Sequence, residues 1–122
     1  MGSIGKSGKS GKVGKYTPGF DWSVKIVQVS PGVAGFLPDV LGAQVGDSLQ
    51  AQVSDIVTWG NMTADTHQPI LDNGESLCDP IAGGASSTPQ FVVEGAVGDV
   101  ISYKCSFHPQ ETGSITIVAN FI

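Results

Sequence analysis

The chain of 122 residues has no arginine, and only two histidines, two cysteines and two methionines. Four of the six lysines, Lys6, Lys9, Lys12 and Lys15, fall in the first fifteen positions. From Tyr16 onward only Lys25 and Lys104 stand against all 11 carboxylates, a formal charge of −9. Such a body repels nucleic acid and anionic membranes at long range and attracts a basic partner. No run approaches the roughly 20 apolar residues of a transmembrane helix. The lysine-bearing start is followed by no apolar h-region, so it does not read as a signal peptide.

Residues 1–15 are a Gly-Lys-Ser repeat with almost nothing apolar to bury, which predicts a flexible, solvated tail. Its Gly-Lys-Ser pieces lack the glycine five positions upstream that a phosphate-binding loop requires. Residues 16–122 are then one domain, long enough for a single core.

That domain reads as strands and turns. Residues 22–29 (Trp-Ser-Val-Lys-Ile-Val-Gln-Val) alternate apolar and polar side chains, the period of a half-buried strand. Further β-prone runs cover 48–53, 56–59, 90–94, 100–105 and 114–121, and Ser54-Asp55 makes a turn or bulge. Pro31-Gly32, Pro38-Asp39, Gly46-Asp47, Asp72-Asn73-Gly74 and Gly83-Gly84 supply turn chemistry between the runs. Residues 33–41 allow at most a helical turn, and 68–89 read as a long irregular link over the surface. The fold class predicted is all-β, an antiparallel Greek-key β-sandwich or barrel. Trp22, Trp59, Phe91 and Tyr103 are read as core fillers.

Chemistry concentrates in Cys105-Ser106-Phe107-His108, followed by Pro109-Gln110-Glu111. A thiolate and an imidazole three positions apart, at the end of a strand, can face one point. Soft sulfur with imidazole nitrogen selects copper or zinc over magnesium or calcium. The other histidine, His67, would complete a His₂Cys set. Asp72, Glu75 and Asp79 lack the spacing of a calcium loop. The sequon at Asn61-Met62-Thr63 reads as accidental, because Asn61 follows a strand.

Two blocks carry a family resemblance. The run 53–61 (Val-Ser-Asp-Ile-Val-Thr-Trp-Gly-Asn), with His67 after it, is similar to the Val-Gly-Asp-x-Val-x-Trp-x-Asn strand of the cupredoxins, the small blue-copper sandwich proteins. The run 98–109, continuing into 113–118, resembles that family's Tyr-x-Cys-x-x-His-Pro-x-Met-x-Gly-x-Ile-x-Val ending. The resemblance implies one copper ion cycling between Cu(I) and Cu(II), with His67, Cys105 and His108 as trigonal ligands. It implies a one-electron carrier in the periplasm or outside the cell, with His108 near the surface as the route to a redox partner protein.

Two positions depart from the pattern. Glu111 stands where the axial methionine belongs, and neither Met1 nor Met62 lies in that loop. A carboxylate is harder than a thioether, so it favours Cu(II), lowers the potential and gives a site that is green or red, not plainly blue. Gln110 is the second candidate for that ligand. Gln68 follows His67 where the family often has an asparagine tying the ligand loops together, which weakens the expected tie.

Rival readings use the same residues. Cys78 and Cys105 could pair in a disulfide across a copper-free sandwich, and zinc could take Cys105, His67, His108 and Glu111. A hard carboxylate with an open position would suit a catalytic or small-ligand-binding copper site. Delivery or storage of Cu(I) fits poorly, because Met and Cys are scarce. A dinuclear copper centre is excluded, since the loop has one cysteine. The carrier reading is favoured over the enzyme.

Overall fold

The computed structural model describes residues 19–119; the expected tail and the start of the predicted domain lie outside the described residues. Among the described residues eight strands form: β1 (Asp21–Ser30), β2 (Val33–Pro38), β3 (Ser48–Ala51), β4 (Ile56–Asn61), β5 (Pro69–Leu71), β6 (Phe91–Val92), β7 (Val100–Cys105) and β8 (Thr112–Ile117). They build two four-stranded sheets, ordered β2-β1-β4-β6 and β3-β8-β7-β5. The all-β sandwich stands as expected.

Period-2 patterning explains how the sheets close on each other. Val24 and Ile26 of β1, Val57 and Trp59 of β4, Leu49 and Ala51 of β3, Tyr103 and Cys105 of β7, and Ile115 and Ile117 of β8 all turn inward and are buried. Burying each large apolar side chain contributes roughly 1.5–3 kcal/mol. Trp59 sits at the centre, edge-on to Tyr103 with ring centroids 5.4 Å apart, and its indole N–H donates to the Tyr103 hydroxyl at 3.2 Å. Trp59 and Tyr103 are thus core residues, and Trp22 and Phe91 pack partly buried against the core.

Three expectations are corrected. Residues 33–41 are not a helical turn: β2 pairs antiparallel with β1, Val24 opposite Pro38 and Ile26 opposite Phe36. Gly32, at φ +75, makes the reversal that Pro31 begins. Buried Phe36 explains the strand, and Pro38 ends it on a sheet edge, where a missing N–H is tolerated. The link 68–89 is not wholly superficial either. It contains β5, and Leu77, Cys78 and Ile81 are buried in the core. Finally, the sheets are mixed: β1 runs parallel to β4 and β3 parallel to β8.

The turn expected at Ser54-Asp55 is present, with Ser54 at φ +78. Asp55 is buried there, accepting from the Trp22 indole N–H at 2.8 Å and from the amides of Gln52 and Phe20 at 2.9 and 3.2 Å. One carboxylate therefore fastens the start of β1 to the start of β4.

Candidate metal centre

Register brings the chemistry together. β5 pairs with β7 so that Pro69 lies opposite Cys105. His67, two residues before Pro69, is thereby carried to the end of β7. Its backbone is held on both sides by Ile81, His67 N to Ile81 O at 3.1 Å and Ile81 N to His67 O at 2.7 Å. Cys105 turns inward as the last residue of β7. After it the chain reverses through three backbone bonds: His108 N to Cys105 O (3.3 Å), Glu111 N to His108 O (2.9 Å) and Cys105 N to Glu111 O (3.0 Å). This closed loop points Cys105, His108 and Glu111 at one place.

The donor atoms meet. Cys105 Sγ lies 3.5 Å from His67 Nδ1 and 3.6 Å from His108 Nδ1. Glu111 Oε1 lies 3.1 Å from His67 Nδ1 and 3.5 Å from His108 Nδ1. One ligand atom from each of the four residues falls within 4.8 Å of every other, the one such grouping among the described residues. Both rings present Nδ1, which the sequence left open. His67 and Glu111 are buried, whereas the His108 side chain is 31% exposed. No lysine pairs with Glu111 among the described residues.

These separations fit an ion. With metal–sulfur near 2.3 Å and metal–nitrogen or –oxygen near 2.05 Å, ligands about 110° apart sit about 3.6 Å (S to N) and about 3.3 Å (N to O) from each other. The two S–N distances, 3.5 and 3.6 Å, match the first value, and the two N–O distances, 3.1 and 3.5 Å, straddle the second. Glu111 Oε1 is moreover buried without a hydrogen bond, despite its nearness to His67. A buried polar atom left so costs roughly 1–3 kcal/mol, and a cation among the four donors would remove that penalty. The donor set is one that a soft or borderline first-row ion takes.

The surroundings hold the donors from several directions. Glu111 Oε2 accepts from the Ala34 amide of β2 at 3.1 Å, so only Oε1 faces the cluster. His67 Nε2 lies 3.0 Å from Thr63 Oγ1, which donates to Asn61 Oδ1 at 2.8 Å. Gln68 ties the loops after all: it accepts from Ser106 Oγ at 3.0 Å through Oε1, while Nε2 donates to the Cys78 carbonyl at 3.1 Å, and Ser106 N reaches the Gln68 carbonyl at 2.8 Å. The expected weakening is not seen, because the longer amide spans the gap. Thr63 and Ala34 went unnoticed in the sequence. A threonine four positions before a histidine carries a faint signal, a backbone amide 77 positions from its acceptor none.

Other candidates separate cleanly. Cys78 and Cys105 are both free, so the disulfide reading is corrected. Burial, and then the neighbouring Asp79, push the Cys78 thiol up to about 11, against a weaker opposing hydrogen bond from Ser87. Gln110 is exposed. Asp72, Glu75 and Asp79 form no donor cluster among the described residues. Asn61 is buried with its amide nitrogen donating to the Asp65 and Ile81 carbonyls, so the sequon is inaccessible. No described helix is long and apolar enough to cross a membrane.

No protein-family model matches the sequence, and no curated protein matches it. Solved structures do. A purple cupredoxin from Nitrosopumilus maritimus is 26% identical, with a TM-score of 0.54 over 78% of this chain and 97% of that one. A reduced tryptophan-to-tyrosine mutant of amicyanin is 17% identical, with a TM-score of 0.55 over 78% and 79%. The reduced Cu(I) form of a proline-to-glycine amicyanin mutant gives 16% and 0.56 over 85% and 86%. The fold is that of the cupredoxins.

Proposed function

We propose that the protein is a mononuclear copper electron carrier, with His67 Nδ1, Cys105 Sγ, His108 Nδ1 and Glu111 Oε1 as the ligand atoms. The observation that carries this reading is the convergence of those four donors at ligand-to-ligand spacing, with Oε1 buried and otherwise unpaired. The similar solved structures, among them a purple cupredoxin and a Cu(I) amicyanin, support copper as the ion. Bound copper supplies a one-electron Cu(I)/Cu(II) couple.

The chain's residues account for the rest. Cys105 is fully buried and offers a polarisable sulfur away from water. The backbone bonds within residues 105–111 and the Gln68–Ser106 tie hold the donors still, so little need rearrange between oxidation states. The Ala34 amide occupies Oε2, leaving Glu111 one free oxygen. Cysteinate and carboxylate together balance the charge of Cu(II) and overbalance that of Cu(I), which favours the oxidised state and lowers the potential. Only the His108 edge reaches solvent, and it is the point where a partner protein would exchange the electron. The acidic body suits a basic partner, and a periplasmic or extracellular location follows the family resemblance.

An absorption spectrum of the Cu(II)-loaded protein tests the assignment. A visible thiolate-to-copper band is expected that Cys105→Ser abolishes; a spectrum indifferent to Cys105 would overturn it. Metal analysis of protein from its native source separates copper from zinc. A narrow cleft with room for about one water, lined by Gln28, Asp65, His67, His108 and Glu111, also reaches the donors. It favours a secondary reading in which a small molecule binds the ion. Azide that shifts the spectrum would support that reading, and inertness to azide with reversible one-electron voltammetry supports the carrier.

A further inference from the structure

The hydrogen bonds behind His67 close into a chain that favours a proton on Nε2, against the pull of Glu111 Oε1, which lies 3.1 Å from Nδ1. Asn61 has a fixed orientation, because its Nδ2 donates to the carbonyls of Asp65 at 2.6 Å and Ile81 at 2.9 Å. Its Oδ1 therefore faces Thr63, accepting from the Thr63 amide at 2.9 Å and from the Thr63 hydroxyl at 2.8 Å. A hydroxyl has one proton to give and two lone pairs to receive with. The alternative acceptor, the Asp65 carbonyl, is farther, at 3.2 Å. With the proton committed to Asn61, Thr63 Oγ1 receives from the Asp65 amide at 3.3 Å and from His67 Nε2 at 3.0 Å. A proton sent from Thr63 to His67 instead would set an Oγ1 lone pair against Asn61 Oδ1 in a buried site.

We propose that Asn61 and Thr63 are positioning residues that set His67 Nε2 as the N–H donor, so that Nδ1 is the nitrogen offered to the metal. This rests on the ligand assignment above and adds how the chain chooses the ligating nitrogen. The same hydrogen bond fixes the rotation of the ring. It also draws electron density toward Nδ1, which makes that nitrogen a stronger donor to the oxidised ion.

Nitrogen-15 NMR of the imidazole rings, in chelator-treated metal-free protein well above the ordinary imidazole titration range, tests the chain directly. The parent is expected to carry a proton on His67 Nε2. Thr63→Val, which keeps the shape but not the hydroxyl, should move that proton to Nδ1, and Thr63→Ser should restore the parental pattern. Cu(II) competition should show affinity weakened about tenfold by Thr63→Val and restored by Thr63→Ser. A parent lacking the Nε2 proton, or a Thr63→Val protein matching the parent in ring signals and affinity, overturns the inference. If Thr63→Val does not fold, the parent's ring pattern and Thr63→Ser decide alone. An Nε2 proton in a parent that binds no metal ion would sink the ligand assignment and leave the Asn61–Thr63–His67 chain standing.

Discussion

Replacing Glu111 by Gln removes one buried negative charge while keeping nearly the same shape. The glutamine's single amide oxygen can face the cluster or accept from the Ala34 N–H, whereas the carboxylate of Glu111 does both. The donor separations of 3.1 and 3.5 Å to the two histidines put the centre of that charge about 3–4 Å from an ion held among them. At an effective dielectric of about 20, one unit of charge at that range contributes about 4–5.5 kcal/mol. The negative charge stabilises the dipositive ion more than the monopositive one by that amount, so its loss raises the reduction potential. At about 59 mV per tenfold for a one-electron couple, the ceiling is about 180–240 mV. Partial solvation through the exposed edge of His108 lowers this, and an increase on the order of 100–200 mV is expected. Voltammetry of copper-loaded parent, Glu111→Gln and Glu111→Met proteins measures it, with Gln110→Ala as a control that should not move. A shift under about 20 mV, roughly a twofold change in the affinity ratio, would refute a bound carboxylate. So would a drop in potential.

Two further outcomes follow from other parts of the molecule. The Cys78 thiol is raised to about 11 from an ordinary value of 9.0. The unfolded chain therefore ionises first, and folding stability should decline as pH rises from about 9 to about 11. Denaturation curves of metal-free protein should show that decline for the parent and a flatter profile for Cys78→Ala; a matching decline in both would refute the assignment. A methyl group on Gly83 would come within 2.7 Å of the Thr63 carbonyl and 2.8 Å of the Ala64 carbonyl, both backbone atoms. Gly83→Ala should thus destabilise by about 1–3 kcal/mol, read by thermal melting, and weaken metal binding by displacing Thr63.

Much of the site was legible in sequence because its donors obey short-range rules. Alternation along 100–105 turns Cys105 inward, and the spacing of His108 and Glu111 from it is that of a single reversing loop. His67 was found through its place after the Trp59 strand. Less was legible where meaning depends on distant neighbours. Residues 33–41 show no alternation, since Ala34, Gly35 and Phe36 are all buried, and the segment becomes a strand only beside β1. The three residues of β5 are too few for any periodicity, yet their register with β7 brings His67 to Cys105. The parallel pairings of β1 with β4 and β3 with β8 likewise leave no local mark. Gln68 shows the limit of pattern matching: the residue type differs from the family's, and the hydrogen bonds are made regardless.

The reversing loop from Cys105 to Glu111 is closed by its own main-chain bonds, so it behaves as a portable heptapeptide cassette. Grafted onto another sandwich, it would bring three of the four donors with it. What it would leave behind is the scaffold's share: an amide on a neighbouring hairpin and a hydroxyl upstream of the remaining imidazole. Transplantation would therefore convey the capacity to capture an ion more readily than the tuning of its redox chemistry.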